Sequence, residues 1–573
     1  MNYQNNQSSK QNPSQPPDQL RSYFQLRPPG ASNHDLSLFN DQSRAFLQQN
    51  PIIANPTNHL QSVFNNASNV RSWNASSRNN YSEIENLKYD DDEQLLSIQE
   101  GSLQSDQEKL DIDLDKITHL SLKIKRKIIT SSSFHEQILP FVVSLGVDEK
   151  ESQRRPPLDL VCVIDHSGSM SGTKIELVKN TFNYLLKYLN VQDRLSVITF
   201  DDQASRLFPL IATSQQNKGK IQAALRGVRG RGGTDINLGM MHAFQVLNQR
   251  RHKNPVTSIF LLSDGLDKGA ENKIKDSLSK FRIGEDLTIN TFGFGRDHDP
   301  ELMINISNQR DGNFYFIDKL DSIDEAFIDC LGGLLSSVAQ SAKITIQAQQ
   351  TGVLNDVKIT KAYGEETMWQ RENQSYIVNI NPLISGRHKD YVLEIQIPIT
   401  NKELLDHEKN IQIASAEAVI IGFNGEKITK KAELHITLLN EIEGAPEQEE
   451  DDLDVMRNLY RVKGSVLMDE ARKLADQNCH EEAKKLLQNF REEIANSLLK
   501  EEAYVKHMIT DIDATIKDLN PIVYHATGRQ MIWNNQRSQM QQRSNVTMAN
   551  SNMNFMQQTM QCELQGLKQK KSS

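Results

Sequence analysis

Cysteine is scarce in this chain of 573 residues, and its placement excludes more than its number does. Cys162, Cys330, Cys479 and Cys562 stand far apart, with no C-x-x-C pair. That spacing rules out a zinc ribbon or RING finger built from cysteine and argues against a disulfide framework. Long apolar runs are missing too. No stretch approaches the roughly 18 uninterrupted apolar residues that a membrane-spanning helix needs. The opening residues, Met1 to Gln7, lack the charged and apolar regions of a secretory signal. Nor is there an excess of basic charge. The net charge is −9 and the pI near 5.9, so no global basic field draws in nucleic acid or an anionic membrane surface. Walker A, G-x-S-x-G and H-E-x-x-H patterns are also absent. These absences lead to the expectation of a soluble, cytoplasmic protein in a reducing compartment, with no nucleic-acid partner and no membrane span.

What is present divides the chain by composition. Residues 1–115 are rich in Asn, Gln, Ser and Pro. They carry too little apolar area to offset their chain entropy, so disorder is expected there. Residues 116–148 hold two strand-like segments, Ile117–Ile124 and Gln137–Leu145. From 156 to 338, apolar runs alternate with helical stretches. The strand candidates are Leu158–Ile164, Asp193–Phe200, Ser258–Leu262, Leu287–Phe294 and Gly312–Ile317. The helix candidates are Gly172–Asn190, Asn217–Val228, Asn237–Arg250, Glu271–Lys280, Pro300–Asn308 and Ile323–Ser337. Alternation with fully apolar strands predicts an α/β fold, a doubly wound and mainly parallel sheet covered on both faces.

Residues 341–440 return to short strands between turn residues, from Ala342–Ala348 to Ala432–Leu438, the pattern of a β-sandwich. An acidic linker, Glu447–Asp452, leads into 452–520. There Leu459, Val462, Val466, Ala471, Leu474 and Ala475 follow helical spacing, and so do Ala483, Leu486, Leu487, Phe490, Ile494 and Leu498. The break at Asp476–His480 makes a helical hairpin, which offers a packing or self-association surface. Residues 521–573 are Gln-, Met- and Asn-rich and read as a low-complexity tail.

The chemistry concentrates at the ends of predicted strands. Asp165-His166-Ser167-Gly168-Ser169 closes the first apolar run, Gly232-Gly233-Thr234-Asp235 precedes a helix, and Ser263-Asp264-Gly265 closes another run. In extended backbone, residues two apart point the same way, so Asp165, Ser167 and Ser169 can converge. These side chains offer only oxygen, the donor that Mg²⁺ or Mn²⁺ prefers. Loops after strand C-termini are where doubly wound sheets bind ligands. Asp235 is expected to brace its loop, His166 to point outward as a bystander, and Gly230-Arg231-Gly232-Gly233 to be loop geometry rather than an RNA-binding repeat.

Taken together and in this order, these three segments resemble the metal-ion-dependent adhesion site of the von Willebrand factor type A domain. The resemblance implies a Rossmann-like fold in which Asp165, Ser167, Ser169, Thr234 and Asp264 bind Mg²⁺ or Mn²⁺, directly or through water. One position remains for the exposed Asp or Glu of a protein partner. The block at 341–440 resembles the VWA-interacting domain that follows such modules in a plant ubiquitin-ligase group, and the strands at 116–148 are inferred to join it. The function expected on this basis is Mg²⁺-dependent intracellular protein–protein interaction, by a binding device and not an enzyme. The alternatives are a non-catalytic substrate receptor beside a ubiquitin ligase, or a scaffold whose metal site is idle.

Overall fold

The computed structural model describes residues 112–572 except for 131–135, 150–154, 265, 285, 296–297, 318–319, 352–353, 355, 399–408, 440–449 and 543–553. All lie in one compact unit, Ser76–Ser573. The disorder expected for residues 1–115 falls outside the described residues, apart from the last few, where Asp113 caps a helical turn at Leu114–Ile117.

Three early strands come first, β1 (Thr118–Ile124), β2 (Ile128–Thr130) and β3 (Gln137–Val147). The chain then enters an α/β unit built on β4 (Leu158–Asp165), β5 (Arg194–Phe200), β6 (Ala204–Ala212), β7 (Val256–Ser263), β8 (Leu287–Phe294) and β9 (Phe314–Ile317). These form one sheet in the order β6-β5-β4-β7-β8-β9. Every pairing is parallel except β5 with β6. Strands β4, β5, β7 and β8 are buried along their whole length, as a sheet covered on both faces requires. Helices at Thr173–Tyr188, Gln215–Arg226, Ile236–Asn248, Ala270–Lys280, Pro300–Asn308 and Leu320–Leu335 provide the cover, close to the expected spans. Within this unit, the strand missed by sequence is β6. It carries Pro209 at an antiparallel edge with register shifts against β5, a place where proline is tolerated but the apolar alternation is blurred.

The chain leaves this unit through β10 (Ser337–Ala339) and continues with β11 (Ser341–Ala348), β12 (Lys358–Ala362), β13 (Gln370–Glu372), β14 (Ser375–Ile380), β15 (Leu383–Ile384), β16 (His388–Ile397), β17 (Lys409–Ile421) and β18 (Lys427–Leu439). A four-stranded sheet, β1-β3-β16-β12, and a six-stranded sheet, β13-β14-β11-β17-β18-β2, share one apolar core. Phe141, Val143, Leu393 and Ile395 come from the first sheet, and Ile344, Val378, Ala418 and Ile436 from the second. The early strands therefore do enter the sandwich: β3 pairs with β16 from Gln137↔Ile397 to Gly146↔His388. The α/β unit is an insertion between strands of the sandwich.

The C-terminal part is helical, and more extensively so than expected. Helices Leu453–Asp476 and His480–Ala495 form the hairpin, and Ala503–Asp518 packs with them. The first helix has two apolar faces. Met468, Ala471 and Ala475 join the helical core, while Val455, Leu459 and Val462 pack on Val142 and Val392 of the sandwich. The low-complexity reading of 521–573 is corrected for the described residues, which form helices Arg529–Gln541 and Phe555–Ser572. Tyr524 and Ile532 are buried in the helical core, and Met560 in the α/β core. The polar residues in these helices find their partners in distant elements: Arg537 meets Glu365 and Asn308, and Gln557 meets Asp329 and Arg387. Composition alone does not reveal such partners.

No helix among the described residues is long and apolar enough to cross a membrane.

Candidate functional site

Strands β4 and β7 are parallel neighbours, with Ile164 opposite Leu262, so their C-terminal ends place Asp165 and Asp264 side by side. After Asp165 the chain makes a 3-10 turn, Gly168–Met170. The Ser167 amide donates to Asp165 Oδ1 at 2.8 Å, and the Ser263 hydroxyl donates to Asp165 Oδ2 at 2.5 Å. Ser167 Oγ and Ser169 Oγ lie 3.0 Å apart, brought together by the 3-10 turn and not by extended backbone.

The loop carrying Thr234 is tied to the same corner through its backbone. Gly168 N donates to Gly232 O at 3.1 Å, Arg231 N to His166 O at 2.7 Å, and Gly233 N to Asp202 Oδ2 at 2.9 Å. Asp235 caps helix Ile236–Asn248 by accepting from Leu238 N, which is the bracing role expected of it. Two glycines permit this approach. Gly232 has a φ of +70°, and a Cβ on Gly230 would stand 2.1 Å from Ser171 Oγ. The Gly230–Gly233 segment is thus built as a close-packed loop.

Asp165 and Asp264 are both 0% exposed. Burial pushes the Asp165 carboxyl up to about 6, and the like charge of Asp264 adds to it against the lowering bonds from Ser167 and Ser263. Asp264 accepts from Lys174 Nζ at 3.0 Å through Oδ2, while its buried Oδ1 has no hydrogen-bond partner among the described residues. An orphaned buried carboxylate oxygen is costly unless something fills its place.

Of the five residues singled out from sequence, Asp165 ends β4, Ser167 and Ser169 lie in the turn after it, Thr234 precedes helix Ile236–Asn248 and Asp264 follows β7, all at the C-terminal edge of the sheet. Among the described residues, no group of three or more His, Cys, Asp or Glu is placed to hold a metal ion. The donors here are two carboxylates and three hydroxyls, a set suited to a hard divalent cation and not to zinc or copper.

Sequence reasoning missed Lys174 and Ser263. Lys174 read only as part of a helix, although its position just after the Ser167–Ser169 turn could have flagged it. His166 does not point outward as expected. It is buried, with Nδ1 3.7 Å from Asp201 Oδ2, and burial holds its pKa below the usual histidine value.

Residues 159–328 match the von Willebrand factor type A domain family. A solved von Willebrand factor type A structure from Catenulispora acidiphila superposes with a TM-score of 0.54, covering 74% of this chain and 97% of that one at 12% identity. Residues 159–328 form a von Willebrand factor type A domain. Such domains typically mediate protein–protein interaction. The chain is also similar to curated relatives. The E3 ubiquitin-protein ligase WAV3 of Arabidopsis thaliana is 29% identical over 265 residues, 46% of this chain and 34% of that protein. The probable E3 ubiquitin-protein ligase WAVH2 of the same plant is 26% identical over 253 residues, 43% of this chain and 34% of that protein. The chain thus spans about a third of the length of these relatives. Their names overturn one expectation: the reading of this chain as not an enzyme is corrected, because both relatives carry the name of an enzyme class.

Proposed function

We propose that this chain recognises protein partners for ubiquitin ligation, through a divalent cation held in its VWA domain. Asp165, Ser167, Ser169, Thr234 and Asp264 are the ligands, Mg²⁺ or Mn²⁺ is the ion, and an exposed Asp or Glu of the partner takes the open position. The observation that carries the reading is Asp264 Oδ1, a buried carboxylate oxygen without a partner beside a second buried carboxylate. When bound, the ion supplies a Lewis-acidic anchor for the partner carboxylate. The protein's own residues do the rest. The Ser167 amide and Ser263 hydroxyl orient Asp165, and backbone bonds tie the loop that carries Thr234 to the turn after β4.

In this proposal the setting is cytoplasmic. The sandwich acts as a VWA-interacting domain, and the C-terminal helices offer a surface for self-association. The resemblance to ligases supports placing the bound partner as a ubiquitylation substrate.

The test is affinity capture from native lysate with wild type and Asp165→Ala, each with Mg²⁺ or chelator. Captured candidates are then assayed for ubiquitin transfer in a reconstituted reaction. Partners lost on chelation and in the variant, and ubiquitylated only with wild type, are the expected result. Unchanged capture by the folded, metal-free variant would refute it. The same unchanged outcome is what a scaffold with an idle metal site requires, and the Lys174–Asp264 contact is the observation that favours that second reading.

A further inference from the structure

We propose that Lys174 is the resident counter-ion of the Asp165–Asp264 pocket, a tethered ammonium that a divalent ion must displace and that sets how much metal the site requires. The inference rests on the metal reading above and adds a residue that the donor set does not include.

Lys174 is the second residue of helix Thr173–Tyr188, which starts just beyond the Gly168–Met170 turn. From there its side chain reaches back over the site, with Nζ 3.0 Å from Asp264 Oδ2 and only 22% of the side chain exposed. The seat for that side chain is built. Gly295, after β8, has a φ of +76°, and a Cβ placed on it would come within 2.7 Å of Lys174 Cε. Any other residue at 295 would be strained and would also evict the lysine. His298, buried beneath the same loop, holds it through a 2.7 Å contact between Nδ1 and Gly295 O.

The charges explain why the seat matters. Two buried carboxylates and one ammonium leave the pocket with a net single negative charge. A divalent ion added to all three leaves a net single positive charge. Without the lysine, the same ion leaves the pocket neutral. An ammonium and a divalent ion repel strongly where water is excluded, so Lys174 lowers metal affinity. Once displaced from Asp264 it stays tethered nearby, and the positive charge that remains favours an incoming carboxylate.

The experiment is calorimetric titration of the full chain with Mg²⁺ alone, comparing wild type with Lys174→Met, alongside thermal melts in chelator and in saturating Mg²⁺. The variant is expected to bind Mg²⁺ about tenfold tighter or more. In chelator it is expected to melt roughly 2–4 °C below wild type, because Asp264 has lost its cation, and Mg²⁺ should close that gap. Equal or weaker Mg²⁺ binding by the variant overturns the proposal and leaves the metal reading standing. Absence of Mg²⁺ binding by both proteins overturns the metal reading, and this inference with it.

Discussion

Strand β4 carries a buried aspartate near its start and another at its end, and the two could hardly be treated more differently. Asp159, near its start, is 0% exposed and fully satisfied. Arg194 grips it through Nε at 2.8 Å and Nη2 at 2.7 Å, Arg250 donates at 2.6 Å, and the Asn254 amide at 3.1 Å. Asp165, at its end, is equally buried but has no arginine. It is paired by hydroxyl and amide and faces another carboxylate, so burial pushes its pKa up to about 6. A buried charge must be matched by a partner. At the N-terminal edge of the sheet two arginines and a backbone amide satisfy the carboxylate fully; at the C-terminal edge a single lysine meets one of two carboxylates, and Asp264 Oδ1 has no hydrogen-bond partner among the described residues. One end of the strand is fully satisfied within the fold, and the other is the end at which the proposed function places binding.

The contrast is broken most forcefully at Asp159. Asp159→Asn leaves two buried guanidinium groups without their carboxylate and is expected to cost about 3–5 kcal/mol in chemical denaturation. The matching change at the other edge, Asp264→Asn, takes the carboxylate from Lys174 but also relieves the like-charge repulsion with Asp165, and is expected to cost less than about 1 kcal/mol in chelator. Equal losses at both positions would erase the distinction.

Next in size is a buried group of the other sign. His242 lies on the helix behind Thr234, and burial, followed by the charge of Arg206, lowers its pKa to about 4. The unfolded chain therefore takes up its proton first as pH falls through 6.5. The stability from a neutral His242 is complete above pH 6.5 and is lost between 6.5 and 4, on the order of 3 kcal/mol in all. Melts of His242→Gln across that window should show a flatter slope than wild type, and parallel slopes would count against it.

A gentler probe is the ion itself. At tenfold its dissociation constant, Mg²⁺ should stabilise wild type by roughly 1.4 kcal/mol. Asp264→Asn should show no such gain in the same denaturation series, so a gain in the variant would place the ion elsewhere. The smallest effect belongs to the rim. Arg231 pairs with Asp201 at 3.0 Å, but its side chain is 73% exposed. Arg231→Ala should therefore change stability by no more than about 1 kcal/mol, and by less as salt is raised.

The order of apolar runs from Leu158 to Ile317 was enough to determine the doubly wound sheet, because strands buried on both faces must be apolar throughout. The ends of those runs carried Asp165 and Asp264 to one edge, since parallel strands bring their C-termini together. Ser167 and Ser169 were read with the period of extended backbone, whereas a 3-10 turn is what brings their hydroxyls together. The alternating segments at Ile117–Ile124 and Gln137–Leu145 likewise announced strands, while their place in the sandwich was inferred beside the family resemblance. Other features depended on partners remote in the chain. Lys174 became part of the site only when the turn after β4, the end of β7 and Gly295 were folded against one another. The helices beyond Pro521 exist because Arg537, Gln557 and Tyr524 meet Glu365, Asp329 and Asp476 across the molecule. Local pattern determines which residues are apolar and with what period, while the satisfaction of a buried polar group depends on whatever the tertiary fold sets beside it.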